Sequence, residues 1–255
     1  ISYRTDYSKY KITLLHIQNG ESKASYLTQI PDWEDAGTIR KRDVLEYSQR
    51  SISNLLIQGT HTSKKNASFK TEWKISPTLS KIHDKDIRSN AFRYDEETGV
   101  KSIDDNKKPT RIWRYLNERH LNSKLDFTKN YEMFGEKAKF KFGGLANYQT
   151  RNFNIANFEF FSTIPSIAFD ESYNGIADSV FSQNNIISEN NEGTYVYEQR
   201  KIIESNNRFI SEKTNFAAYF SNEMKLFSVL RTIIGVRVEK FDLIYTGNNE
   251  PEELF

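Results

Sequence analysis

Hydrophobic and polar residues alternate with a period of two over much of this chain. The pattern is plainest from Lys213 to Gly247. In the first arm Phe216, Ala218, Phe220, Met224 and Leu226 fall on one face, and Asn215, Tyr219, Ser221, Glu223 and Lys225 on the other. In the second arm Leu230, Ile234, Val236 and Val238 oppose Arg231, Gly235, Arg237 and Glu239. Strand side chains alternate between faces, so this stretch predicts two long one-sided β-strands joined by a tight turn. The phase drifts near Phe241, which predicts a bulge or a strand end there. A strand from Leu230 to Tyr245 is about three times the usual length of roughly 5–6 residues. Long, tilted, one-sided strands suit a transmembrane β-barrel.

Other segments repeat the pattern less cleanly. Ile1 to Tyr3 reads as a strand end. Tyr10 to Gln18 reads as a strand that Asn19-Gly20 terminates with turn chemistry. Glu46 to Thr62 is a further strand. Its return sets Phe69, Thr71, Trp73 and Ile75 against Lys70, Glu72, Lys74 and Ser76. Pro77 removes a ladder donor, so the strand is expected to bend or leave the sheet there. Leu116 to Tyr131 and Lys137 to Phe153 alternate again, the latter with Phe140, Phe142, Ala146 and Tyr148 on one face. Lys139, Lys141, Asn147, Gln149 and Arg151 share its other face. Asn154 to Gly193 lacks periodicity and suits a short helix or small hairpin, and Tyr195 to Ser205 reads as another strand.

Short turns are expected near Lys64, Gly135 and Phe227. Longer polar segments, Glu21 to Asp43 and Asp84 to Arg114 among them, read as loops at the opposite end of each hairpin. Barrels of outer membranes alternate short periplasmic turns with long extracellular loops. Compact soluble domains seldom hold several structureless loops longer than about 12–15 residues. No other internal repeat is evident.

Composition changes this picture little. Over 255 residues the hydrophobic fraction is 37% and the charged fraction 27%, with a net charge of +2, so there is no electrostatic case for nucleic acid. Aromatics make up 14%, which fits a β-rich protein and also the aromatic girdles of a membrane barrel. The chain has no cysteine, which excludes disulfides, thiolate metal sites and a cysteine nucleophile. No apolar run reaches the roughly 20 residues of a spanning helix. The chain opens on Ile1 without a signal peptide and is expected to be part of a longer protein.

Candidate chemistry is sparse. His16, His61, His83 and His120 lack metal-ligand spacing, and no nucleotide-binding glycine motif is present, so no metal, cofactor or enzymatic activity is expected. Asp84/Asp86, Asp95/Glu96/Glu97 and Asp104/Asp105 read as solvated loop carboxylates rather than a calcium or acid–base site. Lys139, Lys141, Arg151, Arg231 and Arg237 fit a hydrated lumen wall, since an Arg facing lipid at the midplane costs about 2–4 kcal/mol. Asn66-Ala67-Ser68 matches a glycosylation sequon that a tight periplasmic turn leaves without meaning.

The run AAYFSNEMKLFSVLRTIIGVRVEKFDLIYTG resembles the closing part of the barrel in TonB-dependent outer-membrane receptors of the Bacteroidetes type. KYKITLLHIQNGES and EWKISPTLSKIHDKDIRS agree with it. The resemblance implies an all-β fold, with residues 1–255 forming part of an antiparallel transmembrane barrel of about eight legible strands. The plug domain and further strands would lie outside this chain. It implies uptake of a scarce nutrient (siderophore, glycan or peptide) at the outer membrane of a Gram-negative bacterium. Its partners would be membrane lipid, the TonB energy-coupling system acting through the plug, and a surface lipoprotein. Trp33, Tyr94, Trp113 and Phe158 are the candidate ligand contacts, on the expectation that they sit in long loops. Alternatives are a soluble glycan- or peptide-binding module, a hydrolase using loop carboxylates, and a barrel scaffold in a larger outer-membrane assembly.

Overall fold

The computed structural model describes residues 1–30, 38–65, 68–104, 107–133, 135–162, 173, 176–187, 197–202, 207–226 and 229–247. They form one antiparallel sheet. Its strands are β1 (Ser2–Arg4), β2 (Ser8–Gln29), β3 (Thr38–Thr62), β4 (Phe69–Asp95), β5 (Lys101–Ile103), β6 (Thr110–Met133), β7 (Glu136–Ser162), β8 (Tyr197–Ile202), β9 (Arg208–Leu226) and β10 (Leu230–Gly247). The order across the sheet is β1-β2-β3-β4-β6-β7-β9-β10, with β5 beside β4 and β8 beside β7. The sheet is not closed on itself. Two short 3-10 turns, Ala177–Phe181 and Gln183–Asn185, complete the described elements.

The tight turns fall where the alternation placed them, between Thr62 and Phe69, Met133 and Glu136, and Leu226 and Leu230. Gly135 takes φ +75, a conformation that costs glycine little. This proximal end of the sheet has short connections, and the distal end has the long ones.

Several expectations are corrected by strands longer than the sequence suggested. Asn19-Gly20 does not turn: β2 runs on to Gln29 in unbroken register with β3. A Cβ at Gly20 would stand 3.0 Å from Tyr47 Oη, so the glycine makes room for a cross-strand ring. Pro77 does not end its strand either. It pairs with Leu121 inside β4, and Asn54 Nδ2 donates to Ser76 Oγ at 2.8 Å and Thr78 Oγ1 at 2.6 Å beside it. Those side-chain bonds tie β3 to β4 where proline supplies no N–H. Asp84 to Arg114 is mostly strand, because β4 reaches Asp95 and β6 starts at Thr110. The break in phase near Phe241 is not a bulge, since β9 and β10 pair without interruption from Leu226/Leu230 to Phe209/Gly247.

Register fixes the faces. Ile12, Ile57, Ile75, Ser123, Ala146, Phe216 and Lys240 form one row across β2, β3, β4, β6, β7, β9 and β10. Neighbouring rows on that face carry Tyr10, Leu14, Leu55, Trp73, Leu79, Leu121, Leu125, Phe127, Phe140, Phe142, Tyr148, Ala218, Phe220, Ile234, Val236 and Val238. These make a continuous apolar band over the proximal half. The band is open: Leu14 is 74% exposed, Val238 69% and Phe220 49%.

The distal half of the same face is covered. Phe92, Ile103, Phe160, Val180, Phe181 and Tyr197 form a buried cluster, with Phe158, Tyr173 and Ile186 packed on it. One extra residue in β4 breaks both of its ladders between Asp84 and Ile87, and Asp86 sits there at φ +57. This bulge reverses the alternation and brings Arg88, Asn90 and Phe92 onto the covered face.

Candidate functional site

The proximal polar face is cross-linked by ion pairs and hydrogen bonds. Lys124 Nζ lies 2.8 Å from Asp126 Oδ2, and Tyr219 Oη donates to Asp126 Oδ1 at 2.5 Å. Tyr219 packs over Gly143, where a Cβ would meet Leu125 O at 2.5 Å and Asp126 Oδ1 at 2.7 Å. Further along, Glu118 accepts from Gln149 Nε2 at 2.9 Å and Arg151 Nε at 2.6 Å, and pairs with His120. Opposite charges are thus paired along β6 and, through Glu118–Arg151, across to β7.

Beyond this network the polar face changes character. Ile82, Leu116, Phe153 and Phe209 form one row across β4, β6, β7 and β9. Phe153 and Phe209 rings lie 5.1 Å apart, and Phe209 stacks on Tyr245 at 5.3 Å. Charged side chains border this strip: Arg114 Nε is 2.8 Å from Asp84 Oδ2. Aromatic side chains beside a few placed polar groups combine apolar contact with orienting hydrogen bonds, the two elements of small-ligand sites. Sequence reading missed it. Its signal was the shift of apolar residues in β10 from Ile234, Val236 and Val238 to Phe241, Leu243 and Tyr245, which marks a change of surroundings rather than of strand geometry.

Of the four residues singled out from the sequence, Trp33 lies outside the described residues. Tyr94, Trp113 and Phe158 occupy strands rather than loops, on the band-bearing face and distal to the band. Trp113 and Phe158 meet edge to face at 5.6 Å, and Arg111 stands 5.0 Å from the Trp113 ring. Tyr94 is apart from them, under Lys41 Nζ at 4.7 Å. Asp86 holds Arg111 and Arg88 at 2.6 Å each, and Arg88 reaches Asp178 at 2.7 Å. Burial pushes the Asp86 carboxyl up, but the hydrogen bonds and charges of Arg111 and Arg88 outweigh it and hold the pKa below the ordinary value. Tyr173 Oη donates to Asp43 Oδ2 at 2.9 Å, and burial together with that acceptor pushes its pKa up to about 12. These contacts pin the distal cover to the sheet.

Among the described residues no group of three or more His, Asp or Glu is placed to hold a metal ion. No helix is long and apolar enough to cross a membrane, which does not bear on crossing by strands. Comparison with protein families, curated proteins and solved structures gave no match to this chain.

Proposed function

We propose that this chain is part of the barrel wall of a TonB-dependent outer-membrane receptor that takes up a scarce nutrient. The observation that carries the reading is the slope of the apolar band across the sheet. On β2 the band centres on Ile12, but the row through Ile12 arrives at Lys240 on β10. The β10 band centres instead on Ile234. From β2 to β10 the displacement averages about one residue per strand step, roughly 3.4 Å along for every 4.8 Å across, or a mean tilt of roughly 35°. Strands of membrane barrels tilt by about 35–45° through a level apolar slab. A level slab of lipid cut by tilted strands therefore accounts for a band displaced along the register between β2 and β10.

The remaining features support the same reading. The face opposite the band is charged and paired, as a lumen wall is. Tight turns gather at one end and long connections at the other, which would be the periplasmic and extracellular ends respectively. The strands, at 18 to 27 residues for the seven long ones, exceed the roughly 9–11 residues that span a bilayer, so their distal halves would stand above it. The ligand would enter there, past the Phe153–Phe209–Tyr245 strip. The partner that energises uptake would be TonB, through a plug inside the barrel.

Tryptophan quenching by lipids brominated in mid-chain tests the reading. In liposomes, a variant retaining only Trp73, which lies in the band, is expected to be strongly quenched. One retaining only Trp113, distal to the band, is expected to keep its emission. Equal emission from both, or a protein monodisperse without detergent, would overturn the proposal in favour of a soluble binding module.

A further inference from the structure

Midway along the strands, on the polar face, lies a cavity of about 420 Å³, within the range of small-ligand sites. Its rim is charged: Glu21 and Lys23 from β2, Glu46 and Arg50 from β3, and the Asp84–Arg114 pair from β4 and β6. Its floor is Ile82, Leu116 and Phe153, the start of the aromatic strip. Elsewhere on this face many charges are paired at contact distance, as in Lys124–Asp126, Arg151–Glu118 and Arg231–Glu223. Here Glu21, Lys23, Glu46 and Arg50 make no ion pair among the described residues. Ser48, between Glu46 and Arg50 on the same face, also lines the cavity. Its Oγ is buried without a hydrogen-bond partner among the described residues.

We infer that this cavity binds a short zwitterionic peptide with an apolar side chain, a conclusion that rests on the receptor reading above and names its ligand class. Glu46 and Arg50 sit four residues apart on one face of β3, about 13–14 Å along the strand. The termini of an extended tripeptide lie roughly 10 Å apart, within reach of two side chains so spaced. The peptide ammonium donates to Glu21 and Glu46, which outnumber Lys23, the residue opposite Glu46 in register. The peptide carboxylate accepts from Arg50, which can grip it through two parallel N–H bonds. The central side chain rests on Ile82, Leu116 and Phe153. A neutral sugar would leave four unpaired charges around it, and an iron chelate of one charge sign would face two of its own kind.

The test uses the native outer-membrane protein carrying this chain, in detergent, titrated calorimetrically with Ala-Leu-Ala. Blocking the peptide as acetyl-Ala-Leu-Ala-amide is expected to weaken binding by on the order of tenfold or more per terminus, the value of a charge-assisted hydrogen bond. Glu46→Gln is expected to weaken binding of the free amine while leaving the acetylated peptide unchanged. Arg50→Gln is expected to discriminate in the same way between free acid and amide. Free and blocked peptides binding alike to the unaltered protein, or no binding at all, would sink the assignment whether or not the variants fold. A protein soluble without detergent would remove the receptor reading as well, whereas a detergent-solubilised barrel indifferent to peptide termini removes only the ligand class.

Discussion

The two halves of one sheet face treat their apolar side chains in opposite ways. In the distal half Phe160, Val180 and Tyr197 are wholly buried beneath a cover pinned by Arg88–Asp178 and Tyr173–Asp43. In the proximal half residues of the same kind, on the same strands, face outward. Phe140 and Phe160 share β7 and one face, yet Phe140 is 36% exposed and Phe160 0%. Among the described residues, the chain therefore buries an apolar face with its own side chains at one end only. Contiguous exposed apolar area of this extent marks a surface made for another apolar phase or partner. On the receptor reading proposed above, the difference teaches that the distal half is built for water and the proximal half for lipid.

Substitutions that act through only one kind of cover break or sharpen this comparison. The largest effect is expected from Phe160→Ala, at about 3–5 kcal/mol for an aromatic ring removed from a closed core. Because the loss lies in the distal cover, hydrogen exchange should accelerate around residues 176–187 and spare the proximal rows. Val236→Arg comes next, at about 2–4 kcal/mol if the band meets lipid near its midplane. Asn147→Arg, on the polar face, is the control and is expected within about 0.5 kcal/mol. Urea titration of folding into liposomes reads both. Equal effects at Val236 and Asn147 would mean that the two faces meet the same solvent.

Gly143→Ala is expected to cost about 1–3 kcal/mol, since its Cβ has to displace Leu125 O or the Asp126–Tyr219 pair. The same titration measures it, and Ala218→Gly, on the band side of the sheet, gives the comparison without a clash. This glycine also shows what the sequence conveyed and what it did not. Strand faces were legible wherever alternation ran cleanly, so the outward sets Phe140/Phe142/Ala146/Tyr148, Phe216/Ala218/Phe220 and Ile234/Val236/Val238 emerge on one face as expected. Strand ends were not legible. Gly20 and Pro77 read as punctuation, but one makes space for Tyr47 and the other is tied in by Asn54. Beyond the band the apolar residues change face, and charged strands such as residues 84–95 look like loops. That change hid both the Phe153–Phe209–Tyr245 strip and the strand setting of Tyr94, Trp113 and Phe158.

The smallest effect is expected at the joint between the two halves. Asp86 binds Arg88 and Arg111 from its bulge, and its folded pKa lies below the ordinary 3.8. A carboxyl depressed on folding contributes its full stabilisation above the unfolded value and loses it as pH falls through the folded one. The distal cover should therefore hold its exchange protection at neutral pH and begin to loosen only below about pH 4. The group is partly exposed, so Asp86→Asn should cost no more than about 1 kcal/mol at pH 7 and remove most of this acid dependence. The proximal band has no charge of this kind to lose, and its bilayer insertion should stay constant over the same pH range. Acid loosening of both halves together would mean that the bulge does not separate them, and the division of the face into a water-built and a lipid-built half would fail.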